Sequence, residues 1–247
     1  MKPDTAEVKR FFEARAARVY PHRYNKVNYD IRGTPAERFL ERDRVEKRVI
    51  ARYVPVRPDD RVLDIGCGVG RWADEIVPRL DGGLYTGLDF SERMLDEARE
   101  RFEGNPSVRF IQGDLADLPK LADGQVFTRI HINGVLEYVD DCRASGCLMN
   151  AGRLLAEGGF LYVKEPVAAQ KRFMFDGYSE TLDAQYQAIY RTAGEYVRMF
   201  MDALNPEAYD LIVCGPSWEE TFNAAEKTCN MFWIIRKKES SHETFRC

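Results

Sequence analysis

The sequence predicts an α/β fold: a three-layer sandwich around a seven-stranded, mainly parallel sheet whose last strand is antiparallel. From about residue 59 onward, short apolar runs alternate with amphipathic segments, which is typical of βαβ units. The first five runs are about 20 to 30 residues apart, which leaves room for one crossover helix between parallel neighbours. The last two runs are joined by a segment without a long amphipathic helix, which favours an antiparallel pair.

Length and composition predict one large domain with appended segments. The chain has 247 residues, of which 45% are hydrophobic and 31% are charged, an ordinary balance for a globular protein. No apolar run is long enough to cross a bilayer, and the first residues lack the apolar core of a signal peptide. We therefore expect a cytoplasmic protein without membrane contact, either a monomer or a homodimer.

Charge and cysteine usage narrow the classes of ligand. The net charge of -4 provides no broad basic surface for nucleic acid, so we expect no nucleic-acid partner. The six cysteines form no CxxC pair and the three histidines show no metal-ligand spacing. We therefore expect no bound metal. A small molecule is the ligand class that remains.

The elements follow in order along the chain. Residues 1–58, rich in aromatic and charged side chains, are predicted to form a helical N-terminal cap, and residues 59–247 to form the main domain. The predicted strands are Arg61–Ile65, Leu84–Leu88, Val108–Gln112, Val126–Ile132, Phe160–Lys164, Tyr209–Cys214 and Met231–Lys237. A lid insertion is expected at about residues 167–208, where aromatic residues at three-to-four spacing from residue 173 to residue 200 indicate an amphipathic helix.

The most informative motif begins in the first predicted strand. The run Val62–Gly70 ends an apolar strand in Asp64 and continues as the glycine loop Gly66-Cys67-Gly68-Val69-Gly70 before a helix. Glycines allow the backbone to turn sharply and lie against a ligand. A dinucleotide site prefers GxGxxG, and a carboxylate at this strand end would repel a pyrophosphate. The motif therefore indicates a cationic ligand and argues against an NAD-dependent reductase.

The run Asp64-Ile65-Gly66-Cys67-Gly68-Val69-Gly70 resembles the first motif of the class I S-adenosylmethionine (SAM)-dependent methyltransferases, and the resemblance extends through the next three strands. It implies SAM as cofactor, with S-adenosylhomocysteine as product. Residues expected around the SAM methionine moiety and the methyl donor are Asp64, Gly66, Cys67, Gly68, Gly70, Asn133 and Gly134. Residues expected around the ribose and adenine are Asp89, Phe90, Met94, Asp114 and Leu115. Tyr24 of the N-terminal segment, or alternatively Tyr20, is also expected to touch the cofactor. In this scheme the carboxylate of Asp89 accepts both ribose hydroxyls.

Candidate catalytic residues follow from the chemistry of methyl transfer. In-line displacement at a sulfonium needs alignment and a dry pocket, and a hydroxyl acceptor also needs a base. His131, Glu165 and Tyr138 are the predicted catalytic residues, and Glu137 is a further candidate near the same strand ends. Two structural explanations compete: His131 as a core histidine, and Glu137 as a stabilising carboxylate at a helix start.

The acceptor is predicted less directly. Tyr178, Tyr186, Tyr190 and Arg191 are candidate substrate-binding residues, although a stripe with this spacing also suits a protein core. Arg23, Lys26, Arg191 and Arg198, interleaved with tyrosines, suggest a sugar, nucleotide sugar or phosphorylated metabolite methylated on oxygen or nitrogen. An aromatic or amine metabolite stays open as acceptor. A non-catalytic regulatory subunit with a methyltransferase fold is the alternative from another class.

Overall fold

The computed structural model describes residues 2–27, 36–121, 124–180, 182–217 and 227–240. Part of the predicted N-terminal cap, residues 28–35, lies outside the described residues, as does the polar tail from residue 241 onward.

A seven-stranded sheet forms the centre of the molecule and confirms the predicted fold class. Numbered along the chain, and including two that form a separate hairpin, the strands are β1 (Arg61–Ile65), β2 (Leu84–Asp89), β3 (Val108–Gln112), β4 (Phe127–Asn133), β5 (Leu155–Ala168), β6 (Phe173–Ser179), β7 (Ala184–Tyr190), β8 (Tyr209–Pro216) and β9 (Thr228–Lys237). The sheet order is β3-β2-β1-β4-β5-β9-β8, and β9 runs antiparallel to both of its neighbours. The strands β6 and β7 form a separate antiparallel hairpin.

Helices cover both faces of this sheet. They are α1 (Thr5–Ala17), α2 (Ala36–Tyr53), α3 (Ala73–Ile76), α4 (Glu92–Arg101), α5 (Leu118–Leu121), α6 (Asp141–Leu154) and α7 (Ala193–Ala203), with 3₁₀ turns at Arg23–Val27, Val77–Arg79, Leu115–Asp117 and Leu136–Tyr138. Side chains that suit a helix start cap several of them, such as Ser91, whose hydroxyl accepts from the backbone N–H of Met94. Among the described residues, no helix combines the length and the apolarity that a bilayer crossing requires.

The two faces of the sheet carry separate cores. Because successive side chains of a strand point to opposite faces, Val62 and Leu63 of β1 belong to different clusters. Leu63 packs in a cluster with residues of α6 and α7. Val62 packs in the other cluster, with Ile50 of α2 and Ile76 of α3. This packing fixes the strand ends, and with them the residues that follow each strand.

The insertion between β5 and β8 differs from the prediction. The expected amphipathic helix over residues 173–200 is wrong, because β6 and β7 occupy residues 173–190 and only α7 is helical. Tyr186, Ala188 and Tyr190 follow a two-residue period in the hairpin, and all three contribute to one apolar cluster. Asp183 turns the chain before β7 with a positive φ of 50°. The helix α7 starts only after Thr192, which forms a reciprocal capping box with Glu195.

Candidate active site

A cavity of about 630 Å³ opens at the carboxyl ends of β1 to β4. The residues that line it come from the glycine loop, the ends of these strands, helix α1 and the β6–β7 hairpin. Its volume lies within the range of small-molecule sites in proteins. In open α/β sheets, ligands bind in the crevice outside the carboxyl ends of the strands, which is where this cavity lies.

The glycine loop forms the floor of the cavity. Gly66 and Gly68 have φ values of +73° and +53°, a region that glycine adopts without strain. A Cβ atom on Gly68 would collide with Val27, and one on Gly66 would collide with Val135. Glycine is therefore required at both positions. The predicted Gly70 turns the loop through a hydrogen bond to Cys67 O at 2.9 Å but does not itself line the cavity.

Asp64 lies at the end of β1, where its side chain is buried but lines the cavity. The hydroxyl of Tyr85 donates a hydrogen bond to its carboxylate. Burial raises the pKa of Asp64 to about 7, because desolvation disfavours the charged form. A cationic group of a ligand would favour the ionised form and would find its partner here.

Asp89 ends β2 and connects the strand to the glycine loop. Its carboxylate accepts hydrogen bonds from Gly68 N at 2.8 Å and from Ser91 N at 2.9 Å, one on each oxygen. Burial raises the pKa of Asp89 to about 6. Each carboxylate oxygen has a second lone pair, so Asp89 can also accept from two hydroxyl groups in the cavity. Phe90 and Met94 line the same part of the cavity.

Asp114 follows β3 and forms ion pairs with basic residues of α6 and α1. Arg143 of α6 forms an ion pair with it, and Lys9 of α1 lies 3.9 Å away. Burial raises the pKa of Asp114, but the Arg143 hydrogen bond and other contacts outweigh this effect and lower it below its ordinary value. Asp114 and Leu115 both line the cavity. The carboxylate of Asp114 is therefore a charged hydrogen-bond acceptor near the end of β3.

Asn133 and Gly134 end β4 and also line the cavity. Neither the nitrogen nor the oxygen of the Asn133 side-chain amide has a hydrogen-bond partner among the described residues, although both atoms are buried. Buried polar groups are almost always hydrogen-bonded in folded proteins. The unpartnered amide is therefore available to a ligand in the cavity.

A second group of lining residues stands beside the strand ends, between α1 and the hairpin. Tyr186 donates to Glu137 at 3.3 Å, and its hydroxyl lies 3.4 Å from Tyr138 and 3.3 Å from Tyr190. The ring of Phe12 packs edge-on against Tyr138, with 4.9 Å between the centroids. The predicted Tyr138, Tyr186 and Tyr190 therefore meet around one carboxyl group.

Glu165 supports this group from beneath and does not line the cavity. Its carboxylate accepts from the backbone N–H groups of Val135, Leu136 and Glu137 at 3.0, 3.0 and 3.2 Å. Burial raises the pKa of Glu165, while these three hydrogen bonds lower it. Its observed contacts are those of a residue that holds the turn carrying Glu137 and Tyr138. These contacts do not support the predicted role of Glu165 as a catalytic base.

His131 lies within β4, away from the cavity lining. Its ring packs edge-on between Trp72 and Tyr162, at centroid distances of 4.7 and 5.2 Å. Neither ring nitrogen has a hydrogen-bond partner among the described residues. Burial lowers the pKa of His131 well below its ordinary value, and nearby arginines lower it further. The geometry is that of a neutral core histidine, which does not support the predicted catalytic role of His131.

Three more predicted residues lie outside the cavity lining. Tyr24 is buried and donates to Asp74 at 2.6 Å. Tyr178 is 53% exposed on β6 and hydrogen-bonds Asp183. Arg191 is fully buried, and its guanidinium contacts the protein itself and not the cavity.

Arg191 holds the turn after β4. Its guanidinium donates to Leu136 O at 2.6 Å and to Val139 O at 2.7 Å, and it pairs with Asp141 at 2.8 Å. These contacts use the fork of donors that distinguishes arginine from lysine. Arg191 therefore positions the backbone that bears Glu137.

The cations expected to bind a phosphate do not meet. Arg23 pairs with Asp74 at 3.3 Å, and Lys26 pairs with Glu97 at 2.6 Å. Arg198 is exposed on α7. With Arg191 committed to the turn, none of these cations lines the cavity.

The family comparison agrees with this geometry. Residues 62–159, which include the glycine loop and the ends of β1 to β4, match the family model described as a methyltransferase domain. The chain contains a class I SAM-dependent methyltransferase domain. The hairpin and α7 lie outside the matched residues of this domain.

Two curated methyltransferases with different names each match part of this chain. A trans-aconitate 2-methyltransferase of Methylobacterium nodulans is 37% identical over 127 residues, which cover 51% of this chain and 45% of the relative. A demethylmenaquinone methyltransferase of Beutenbergia cavernae is 31% identical over 179 residues, covering 70% of this chain and 65% of the relative. In both cases the matched part is less than two thirds of the relative's length.

A solved structure extends the similarity in fold. The phosphoethanolamine N-methyltransferase 1 of Haemonchus contortus, in complex with phosphoethanolamine and S-adenosylhomocysteine, superposes with a TM-score of 0.70 at 16% identity. The superposition covers 95% of this chain and 49% of that protein. At this identity the comparison concerns the fold.

The structure also adds residues that sequence reasoning did not place at the site of the methyltransferase domain. Lys9 and Phe12 of α1 line the cavity, as do Arg71, Trp72 and Lys164. Phe12 belongs to an aromatic segment that was expected to close over the cofactor, but the sequence favoured Tyr24 within it. A helical register places Val8 and Phe12 on one face of α1, and this spacing is the signal that could have identified Phe12.

Proposed function

We propose that this chain catalyses methyl transfer from SAM to an oxygen or nitrogen atom of a small molecule. The observation that carries the proposal is the arrangement of Asp64, Asp89 and Asp114 at three consecutive strand ends around one cavity, beside a glycine loop. Their spacing along the cavity suits the SAM ammonium, ribose hydroxyls and adenine amino group, in that order. Hydrogen-bond acceptors are the groups that all three parts of SAM require.

The remaining lining residues fit the same ligand. The unpartnered amide of Asn133 can donate and accept near the methionine end of SAM. Met94 and Leu115 offer apolar surface to the adenine ring, next to Asp114. Without a side chain on Gly66 or Gly68, the loop backbone can approach the ligand closely.

When bound, SAM supplies an electrophilic methyl group on a sulfonium. The chain's own residues would bind and orient SAM and the acceptor, and would exclude water from the reacting atoms. Phe12 of α1 lines the cavity and packs against Phe90 and Tyr138, at centroid distances of 5.8 and 4.9 Å, so it adds apolar surface that helps to exclude water. Correct alignment in a dry pocket supplies most of the catalysis for an in-line displacement.

The hypothesis of a sugar or phosphorylated acceptor is not part of the proposal. It depended on Arg23, Lys26, Arg191 and Arg198, and those side chains lie away from the cavity. The names of the relatives cover different acceptors, so they support a small-molecule acceptor without selecting one.

Calorimetric titration with S-adenosylhomocysteine tests the proposal. We expect the wild-type protein to bind it with micromolar affinity and the Asp89→Ala variant to bind at least tenfold more weakly. Asp96→Ala is the matched control, because Asp96 lies on the adjoining helix α4 with a side chain that is 60% exposed. No binding to the wild type, or equal binding to Asp89→Ala, would overturn the proposal.

A further inference from the structure

Part of the cavity forms a chamber between α1, the turn after β4 and the hairpin. We call it the acceptor chamber, and its residues are Phe12, Glu137, Tyr138, Phe175, Tyr186 and Tyr190. Five of the six are aromatic, and Glu137 is the one carboxylic acid among them. The chamber adjoins the proposed cofactor site, because Phe12 also packs against Phe90 at 5.8 Å.

Glu137 stands where the chamber meets the strand ends. Its side chain is only 3% exposed. One carboxyl oxygen accepts from Tyr186 at 3.3 Å, and the other lies 3.7 Å from the position that a Cβ atom on Gly134 would occupy. Gly134 directly follows β4, beside the proposed methyl donor. The carboxyl group is therefore placed to contact an acceptor and its reacting atom.

The neighbouring carboxyl group of Glu165 has a different set of contacts. Three backbone N–H groups hold it, whereas Glu137 accepts from the phenol of Tyr186. In the described part of the chain, no lysine or arginine forms an ion pair with either glutamate: Lys164 pairs with Glu46 at 3.3 Å and Arg191 with Asp141 at 2.8 Å. Two buried carboxyl groups thus share one region without a paired cation.

We propose that the acceptor carries an amino group, which binds as an ammonium ion at Glu137 inside the acceptor chamber. This inference rests on the proposed function. The carboxylate of Glu137 removes one proton from the ammonium, which leaves a lone pair on nitrogen. That lone pair forms the new N–C bond while the S–C bond breaks and sulfur retains its electron pair. The product leaves as an N-methylammonium ion, and Glu137 then releases its proton to water.

Charge complementarity distinguishes an amine from other acceptors. Lys164 and Arg191 act on the two glutamates only from a distance, whereas an ammonium would bring a positive charge into direct contact with Glu137. Opposite charges in close contact stabilise each other strongly away from water. A phosphate or carboxylate acceptor would be repelled by an ionised Glu137, and a neutral hydroxyl would not stabilise its ionised form. The hydroxyl oxygens of Tyr138, Tyr186 and Tyr190, which meet near this carboxyl group, are further acceptors for an ammonium N–H.

The protonation of Glu137 agrees with this geometry. Burial raises the pKa of Glu137, and the charge of Glu165 raises it further, while Tyr186, Tyr138 and Lys164 lower it. Tyr190 also faces the carboxyl group from β7. A base whose pKa approaches the working pH is the most effective one in proton transfer. An ammonium ligand should lower this pKa by favouring the ionised form.

Direct binding to the protein loaded with S-adenosylhomocysteine tests the inference without turnover. The probes are 2-phenylethylamine, ethanolamine and putrescine, each compared by calorimetry with a neutral analogue in which hydroxyl or hydrogen replaces the amino group. We expect at least one amine to bind at least tenfold more tightly than its analogue, and Glu137→Gln to remove this preference. Tyr178→Phe is the control on the same hairpin, outside the cavity, and should behave as wild type.

A second measurement follows the carboxyl group itself. Carbon-13 NMR of glutamate carboxyl groups, with Glu137→Gln for assignment, should show the pKa of Glu137 falling when the amine binds. Unchanged S-adenosylhomocysteine affinity in Glu137→Gln shows that the variant is folded and that the cofactor site is intact. If affinity for S-adenosylhomocysteine persists but no amine exceeds its neutral analogue, or the preference survives in Glu137→Gln, this inference alone is overturned. Failure of the wild type to bind S-adenosylhomocysteine overturns the proposed function instead.

Discussion

Arg71 and Glu46 form a two-pronged ion pair, with N–O distances of 3.1 and 3.0 Å, that joins the residue after the glycine loop to helix α2. Glu46 is fully buried and also accepts from Tyr162 at 2.9 Å and from Lys164 at 3.3 Å. Burial raises the pKa of Glu46, but the charges of Arg71 and Lys164 outweigh that effect and lower it well below its ordinary value. Arg71 and Lys164 both line the cavity, so this buried network supports one of its walls.

Glu46→Gln should destabilise the protein by roughly 3 kcal/mol at pH 7, because it removes the carboxylate that Lys164 and Arg71 share and, among the described residues, leaves Arg71 paired with Asp43 alone. A carboxylate with a lowered pKa in the folded state stabilises that state above its unfolded pKa, about 4.3, and loses the contribution as the pH falls toward the folded pKa. The difference from wild type should therefore shrink below pH 4. Urea unfolding at several pH values measures it. Glu41→Gln, at an exposed ion pair on the same helix, should change stability by less than about 0.5 kcal/mol; an equal loss in both variants would contradict the assigned role.

Gly68→Ala should lose S-adenosylhomocysteine binding, because the added Cβ collides with Val27 and the positive φ disfavours alanine. Gly82→Ala is the matched control: its φ is +80°, but no atom lies within 4 Å of the added Cβ. Both variants should lose about 1 kcal/mol of stability from the backbone conformation alone. Calorimetry and thermal unfolding separate the two effects. Retained binding in Gly68→Ala would show that the loop does not contact the ligand.

Asp64 should release a proton when S-adenosylhomocysteine binds near pH 7. Its pKa in the free protein is raised to about 7 by burial, so a substantial fraction of the carboxyl groups is protonated there. The ligand's ammonium favours the ionised form, and about half a proton per site should appear in solution. Calorimetry in buffers of different ionisation enthalpy measures this number. It should fall toward zero in Asp64→Asn and persist in Asp96→Asn; an unchanged number in Asp64→Asn would assign the proton to another group.

Arg191→Lys should weaken amine binding more than S-adenosylhomocysteine binding. Lysine cannot reproduce the fork that contacts Leu136 O, Val139 O and Asp141, so the turn bearing Glu137 loses its support. We also expect a stability loss of about 2 kcal/mol, since buried carbonyl groups lose a charged donor. Arg172→Lys, which alters the other arginine paired with Asp141, is the control. Parallel losses of both ligands would indicate general destabilisation.

The sheet, and the acidic side chains that line the cavity at its strand ends, could be predicted from the sequence, because both depend on local patterns. Short apolar runs locate the strands, and Asp64 and Asp89 lie at the ends of theirs, Asp64 one residue before the last of β1 and Asp89 as the last of β2. The carboxyl ends of parallel strands meet at one edge, so residues distant in sequence are brought together by topology alone.

The proposed acceptor chamber could not be predicted in the same way. Tyr186, Ile189 and Tyr190 satisfy a helical spacing, while Tyr186, Ala188 and Tyr190 satisfy a strand spacing, and tertiary packing against α1 decides between them. The distinction between Glu137 and Glu165 depends on which carboxyl group receives backbone N–H groups. Sequence spacing carries no information on that choice.

The β6–β7 hairpin forms its strand pairing entirely within itself, outside the seven-stranded sheet and outside the family-matched residues. It nevertheless contributes Phe175, Tyr186 and Tyr190 to the cavity. This segment can therefore vary in evolution, or be exchanged by an engineer, without a change of register in any strand of the main sheet. Under the proposed function, the hairpin supplies three of the six residues of the acceptor chamber from outside the family-matched residues, while Glu137 stays within them. Exchange of the hairpin would therefore change the walls of the chamber and keep its carboxyl group.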